Sequence, residues 1–215
     1  MLEPMPFALQ ATSADPTHAE LAVSLARAFG PVDAAALDDA IERLAAAVPV
    51  PAGDDPLEEL AALSALIRTD AWPRAAQGAG PWSALLPSAL ARGPAHPLTL
   101  CLLVSEVAAR RGIPLGVVSN GVDHLNAHTE LADPLLLRPD SGMIVDAREL
   151  PPPLTWRCSH ETCGQLLDVL EPLWIRYGRL DNAITCAELR LCLPFEPGAL
   201  AKARNRLAHV RSRLN

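Results

Sequence analysis

Side chains that can do chemistry are few in this chain, and they gather in four places. His96 and Pro97 open an apolar run that also holds Thr99 and Cys101; His124, Asn126 and His128 alternate with apolar residues; Asp146 follows Met143-Ile144-Val145. A thiol or hydroxyl, an imidazole and a carboxylate are the parts of nucleophilic catalysis when folding brings them within hydrogen-bond reach. The fourth place is Cys158-Ser159-His160-Glu161-Thr162-Cys163, with two sulfurs and one imidazole. A closed zinc site needs four ligands, and no second Cys/His pair is spaced to complete this one, so no metal is expected. Ser159 or Thr162 is expected instead to cap the helix that follows.

These groups need elements to hold them. Residues 96–114 read as a helix with both ends written in: Pro97 suits the first helical position, Gly112 the left-handed residue past the end, and Arg110 and Arg111 the last turn. Leu98, Leu100, Cys101, Leu102, Leu103, Val104, Val107 and Ala108 cover most of its circumference, so it should be buried and central. Strands are expected over Leu115–Val118, Leu125–Leu131 and Met143–Asp146, separated by polar turns. Before this unit, helices are expected from Ser13-Ala14-Asp15-Pro16 to Phe29, from Asp33 through Leu37, Ile41, Leu44 and Val48, and from Asp54-Asp55-Pro56 with Leu57, Leu60, Leu63 and Ile67 inward. A short helix over about 83–92 precedes the central one. Pro151-Pro152-Pro153 reads as a linker, and beyond it helices are expected near 161–177, 181–193 and 197–213.

The expected organisation is therefore a flexible arm over 1–12, a core domain over 13–150, and a helical tail over 151–215. The fold class is α+β, mostly helical, with the central helix packed on a small antiparallel sheet. A net charge of −7 and a pI near 5.3 argue against nucleic acid or an anionic membrane as the main partner. No apolar run is long enough to span a bilayer, and Met1-Leu2-Glu3-Pro4-Met5-Pro6 does not read as a signal peptide. An odd number of cysteines without a C-x-x-C pair fits reduced thiols in a cytoplasm. No glycine loop shaped to cradle phosphates appears, and no cofactor is expected.

The helix–strand–strand–strand unit, with His128 and Asp146 on its second and third strands, resembles the core of the transglutaminase-like superfamily. More closely it resembles the bacterial SirB-type branch. Gly93-Pro94-Ala95-His96-Pro97-Leu98-Thr99-Leu100-Cys101 and Ala108-Ala109-Arg110-Arg111-Gly112-Ile113-Pro114 occupy the places of that branch's helix-opening and helix-closing runs. The stretch Leu170–Ala183, continuing to Leu193-Pro194 and Pro197, matches its tetratricopeptide-like tail, which as a lone repeat should pack on the core.

The resemblance implies a cysteine nucleophile at the start of the central helix, a histidine that takes its proton, and an aspartate that orients the ring. The nucleophile's place falls on or beside Pro97, which carries none. Thr99 and Cys101 are the substitutes, Cys101 lying on the same face as Pro97 but about 6 Å deeper along the axis. His128 is the candidate for the family histidine and His124 the runner-up; Asp146 is the candidate carboxylate, with a turn cap before Arg148 as the plainer alternative. His96 and Asn126 would lie beside any pocket at the helix start. Two functions follow: a degenerate, non-catalytic binding module for a small amide, a peptide or a partner protein, or a cysteine-dependent amidase or acyltransferase using Cys101 or Thr99 with His128 and Asp146. The missing nucleophile favours the first.

Overall fold

The computed structural model describes residues 5–51, 53, 55–75, 80–132, 134–194 and 199–213. Among them, four helices come first: α1 (Phe7–Ala11), α2 (His18–Arg27), α3 (Ala34–Ala46) and α4 (Pro56–Ile67). Their starts follow local chemistry. Thr17 caps α2 and Glu20 closes a capping box; Asp33 caps α3; Asp55 caps α4, with Pro56 at its first turn. The α2 cap therefore lies later than the expected one around Ser13–Pro16. Residues 7–11 are not a loose arm, because α1 buries Phe7, Gln10 and Ala11. In α4, Leu60, Leu63 and Ile67 face inward as expected, whereas Leu57 is exposed.

A short 3-10 turn (Pro81–Ala84) and α5 (Leu86–Arg92) lead into α6 (Pro97–Arg110). The end signals of α6 act as written: His96 is the N-cap, Pro97 follows it, and Gly112 takes a φ of +74°, which a Cβ would oppose. Leu98, Leu100, Cys101, Leu102, Leu103, Val104, Val107 and Ala108 are all buried. The helix is the axis of the core, touching α2, α3, α5 and the sheet.

The sheet is antiparallel and has five strands rather than three: β1 (Leu115–Ser119), β2 (His124–His128), β3 (Leu135–Leu137), β4 (Ile144–Asp146) and β5 (Thr155–Arg157), in the order β4-β3-β2-β1-β5. The two additional strands have a physical explanation. Leu135-Leu136-Leu137 is apolar at every position and carries no alternation, and β5 is three residues long at an edge. One face of the sheet packs on α6. The other carries Val118, Leu125, Ala127 and Leu136 as a small second core, covered by Val145, Ala147, Leu150 and Leu154.

The stretch expected to begin the helical tail first adds β5 to the sheet, where it pairs with β1. After it come α7 (Ser159–Arg176), α8 (Leu180–Arg190) and α9 (Ala199–Ser212); Pro197 lies outside the described residues. Helix α7 sends Leu166, Leu167, Leu170 and Trp174 into the same core as α2 and α6. Trp174 meets Trp82 edge-on at 4.8 Å and Phe29 at 5.6 Å between ring centroids. No helix among the described residues is long and apolar enough to cross a membrane.

Candidate functional site

The end of α6 that opens on a proline is the place where the chemistry-bearing residues can be compared. His96 spends its Nδ1 on the helix, accepting the Leu98 N–H at 3.2 Å. A ring nitrogen that accepts is unprotonated, so the His96 proton sits on Nε2. Pro97 has no N–H and the Leu98 N–H is taken. The first two helical positions, which would otherwise face an oxyanion, are closed.

His124 begins β2 directly opposite Ser119 on β1. Its Nδ1 lies 3.1 Å from Ser119 Oγ, and that oxygen also accepts the Gly121 N–H at 2.9 Å. Ser119 is fully buried. Its hydroxyl proton needs an acceptor, and His124 Nδ1 supplies it, which again leaves the ring proton on Nε2. The rings of His96 and His124 are 6.3 Å apart. Neither Nε2 has a hydrogen-bond partner among the described residues. Burial holds both imidazoles below the ordinary histidine range; His124 falls to about 4, with His96 and more weakly Arg157 adding to the effect and the Asp123 charge opposing it.

Cys101 lies one turn further into α6 with no exposed surface, and its thiol donates to the Leu125 carbonyl at 3.1 Å. Burial drives its pKa far above that of a free thiol, the opposite of what a nucleophile needs. Thr99 is also buried, and its hydroxyl finds no hydrogen-bond partner among the described residues. Thr99 sits about 200° around the helix from Cys101, away from the strand that Cys101 touches. Asn126 is structural: its side-chain N–H groups donate to the Cys101 carbonyl at 3.0 Å and to Ser105 Oγ at 2.8 Å, tying β2 to α6.

His128 shares a strand face with His124 and Asn126, since residues two apart point the same way. However, β2 runs alongside α6 in the same direction, so His128 lies about 13 Å further along, away from Pro97. The Glu130 N–H donates to its Nδ1, and its Nε2 donates to Glu59 of α4 at 2.6 Å. Its side chain is wholly buried, so the pair is a lock between α4 and the sheet. Asp146 sits on the edge strand β4, opposite Leu135. Carrying the β2–β3 register on by one residue places Leu135 beside His128, so the imidazole and carboxylate are two strand spacings apart, about 10 Å. Asp146 accepts from the Arg148 backbone and guanidinium and caps the 3-10 turn 147–149. His128 and Asp146 are therefore not brought into contact, and neither reaches Pro97.

The cysteine–histidine stretch also disperses. The Cys158 thiol caps α7, and Glu161 completes the box. Cys163 is buried and His160 bonds the Ala11 carbonyl. The cap thus falls one residue before Ser159.

Sequence reasoning did not single out Ser119, Arg157 or Glu59. Ser119 was findable from the turn Asn120–Asp123, which sets it opposite His124; Glu59 contacts a residue 69 positions away and leaves no local trace. Comparison with family models, curated proteins and solved structures finds no match.

Proposed function

We propose that this chain is a binding module of transglutaminase-like ancestry, without the cysteine chemistry of the family it resembles, and that its ligand seat lies at the amino end of α6 between His96 and His124. The ligand is a small amide or peptide. The observation that carries this reading is the pairing of Pro97 at the nucleophile's place with a sealed thiol at the next candidate, Cys101. Acyl transfer requires a nucleophile, a base within reach and donors for an oxyanion. Here the nucleophile is missing, and the first two helix donors are absent at Pro97 and consumed at Leu98. Two imidazoles remain whose Nε2–H groups have no partner among the described residues, and these are recognition groups.

Cysteine labelling tests the proposal. On the native protein iodoacetamide should modify the exposed Cys158 and leave Cys101 untouched until urea unfolds the chain. Fast, pH-independent modification of Cys101 near neutrality would restore the enzyme reading.

A further inference from the structure

Helix α9 is the basic element of an acidic molecule. Five of the chain's 18 lysines and arginines fall within residues 199–213, which hold no aspartate or glutamate, so a chain of net charge −7 carries −12 outside this stretch. The helix buries Ala203 and Val210 and leaves Lys202, Arg204, Asn205 and Ala208 exposed. Two of its cations are engaged inside the molecule. Arg206 reaches Asp168 at 2.5 Å and Glu171 at 2.8 Å on α7, and Arg211 reaches Glu188 at 2.6 Å on α8. Asp168 is also shared with Arg190 at 3.2 Å, so the acids that reach α9 are already taken. Lys202 and Arg204 have no ion-pair partner among the described residues. Arg213, exposed just past the helix end, meets the His209 ring at 3.3 Å and no carboxylate among the described residues.

We infer that the outward side of α9 docks a short Asp/Glu-rich segment of a partner protein, gripped by Lys202, Arg204 and Arg213. Lys202 and Arg213 are eleven residues apart, so they stand nearly in line about 16 Å apart along the axis, with Arg204 about 160° round the helix on the other side of the exposed strip. An extended peptide covers that length in about five residues. Charge complementarity selects an acidic partner, and the rest of the chain selects a short one. A nucleic acid or an anionic bilayer continues past a helix about 21 Å long and would also face the acidic remainder. Residues 199–213 hold no Phe, Trp or Tyr on which bases could stack. The apolar positions Ala203 and Val210 are buried already, and so are not free to enter a bilayer.

The test uses the full chain, backbone amide NMR signals and four probes: hexaglutamate, neutral hexaglutamine, a short oligothymidylate, and mixed phosphatidylcholine–phosphatidylserine vesicles. Hexaglutamate should shift amide signals within residues 199–213 saturably. Its affinity should fall about tenfold between about 20 and about 200 mM NaCl, as the screening length shortens from roughly 20 to roughly 7 Å. Lys202→Gln/Arg204→Gln/Arg213→Gln removes side chains without a carboxylate partner and should weaken binding about tenfold. Arg43→Gln/Arg74→Gln/Arg111→Gln, exposed cations on other elements, makes the same change in net charge and should alter binding less than about twofold. The wild-type shift map locates the site whether or not a variant folds. No saturable shift, shifts centred outside residues 199–213, equal binding of hexaglutamine, or an equal loss in the second triple variant overturns the inference. Tighter binding of the oligonucleotide or the vesicles overturns it too, as does salt-reversible self-association lost in the first variant, which would make the occupant a second copy of this chain.

Discussion

The two seat histidines, His96 at the α6 cap and His124 on β2, differ from His128 further along that strand in what their rings are asked to do. His128 gives its proton to Glu59, whereas those of His96 and His124 have no partner among the described residues and both rings are half-buried. That has a pH signature. The His124 pKa in the folded chain, about 4, lies below the ordinary 6.5, so on acidification the unfolded chain takes up the proton first. The stability that depends on the neutral ring is complete above pH 6.5 and is lost as pH falls from 6.5 toward 4, at no more than about 1.4 kcal/mol per pH unit; His96 contributes in the same direction. Urea unfolding at pH 7.5 and 4.5 should show a larger loss for wild type than for His124→Gln, and parallel losses would contradict the burial argument. The residue types of the seat were visible in the sequence, but the choice between His124 and His128 was not. Period-two alternation puts both on one face, and only the hairpin register against the direction of α6 separates them.

Between elements, the contacts that position the seat are made by long-range polar pairs set into an apolar core. Arg110 at the end of α6 is gripped by Asp38 and Glu42 of α3 and by Glu106 of its own helix. Glu59 and His128 do the same for α4 and β2. Glu59→Ala would leave a fully buried imidazole donor unpaired and should cost about 1–3 kcal/mol, while Glu59→Gln keeps a neutral acceptor and should cost less. Chemical denaturation of the two variants checks this; equal costs would mean that the bond is not what joins the elements. Helix ends were the most legible feature because they are local: Asp33, Asp55, Pro97 and Gly112 all stand where their chemistry suggested. β3 and β5 were illegible for lack of pattern, and the Cys158 cap because thiols are poor capping groups by habit.

For the molecule as a whole, the division at Pro151–Pro153 does not separate two independent parts. Four side chains of α7, Leu166, Leu167, Leu170 and Trp174, lie in the main core. At roughly 1.5–3 kcal/mol for each buried side chain, their sum is comparable with the roughly 5–15 kcal/mol that holds a typical domain together. A chain ending at Leu150 should therefore bind ANS and lose its single cooperative unfolding transition. A sharp transition in that fragment would show that the tail is an appendage after all. The sheet adds a matter of timing. Thr155 donates to the carbonyl of Ser119, 36 residues earlier, so on the ribosome β1 emerges with one flank open and stays so until β5 has been synthesised. An uncovered strand flank is a template for any passing chain, and chaperone demand during synthesis should peak over that interval.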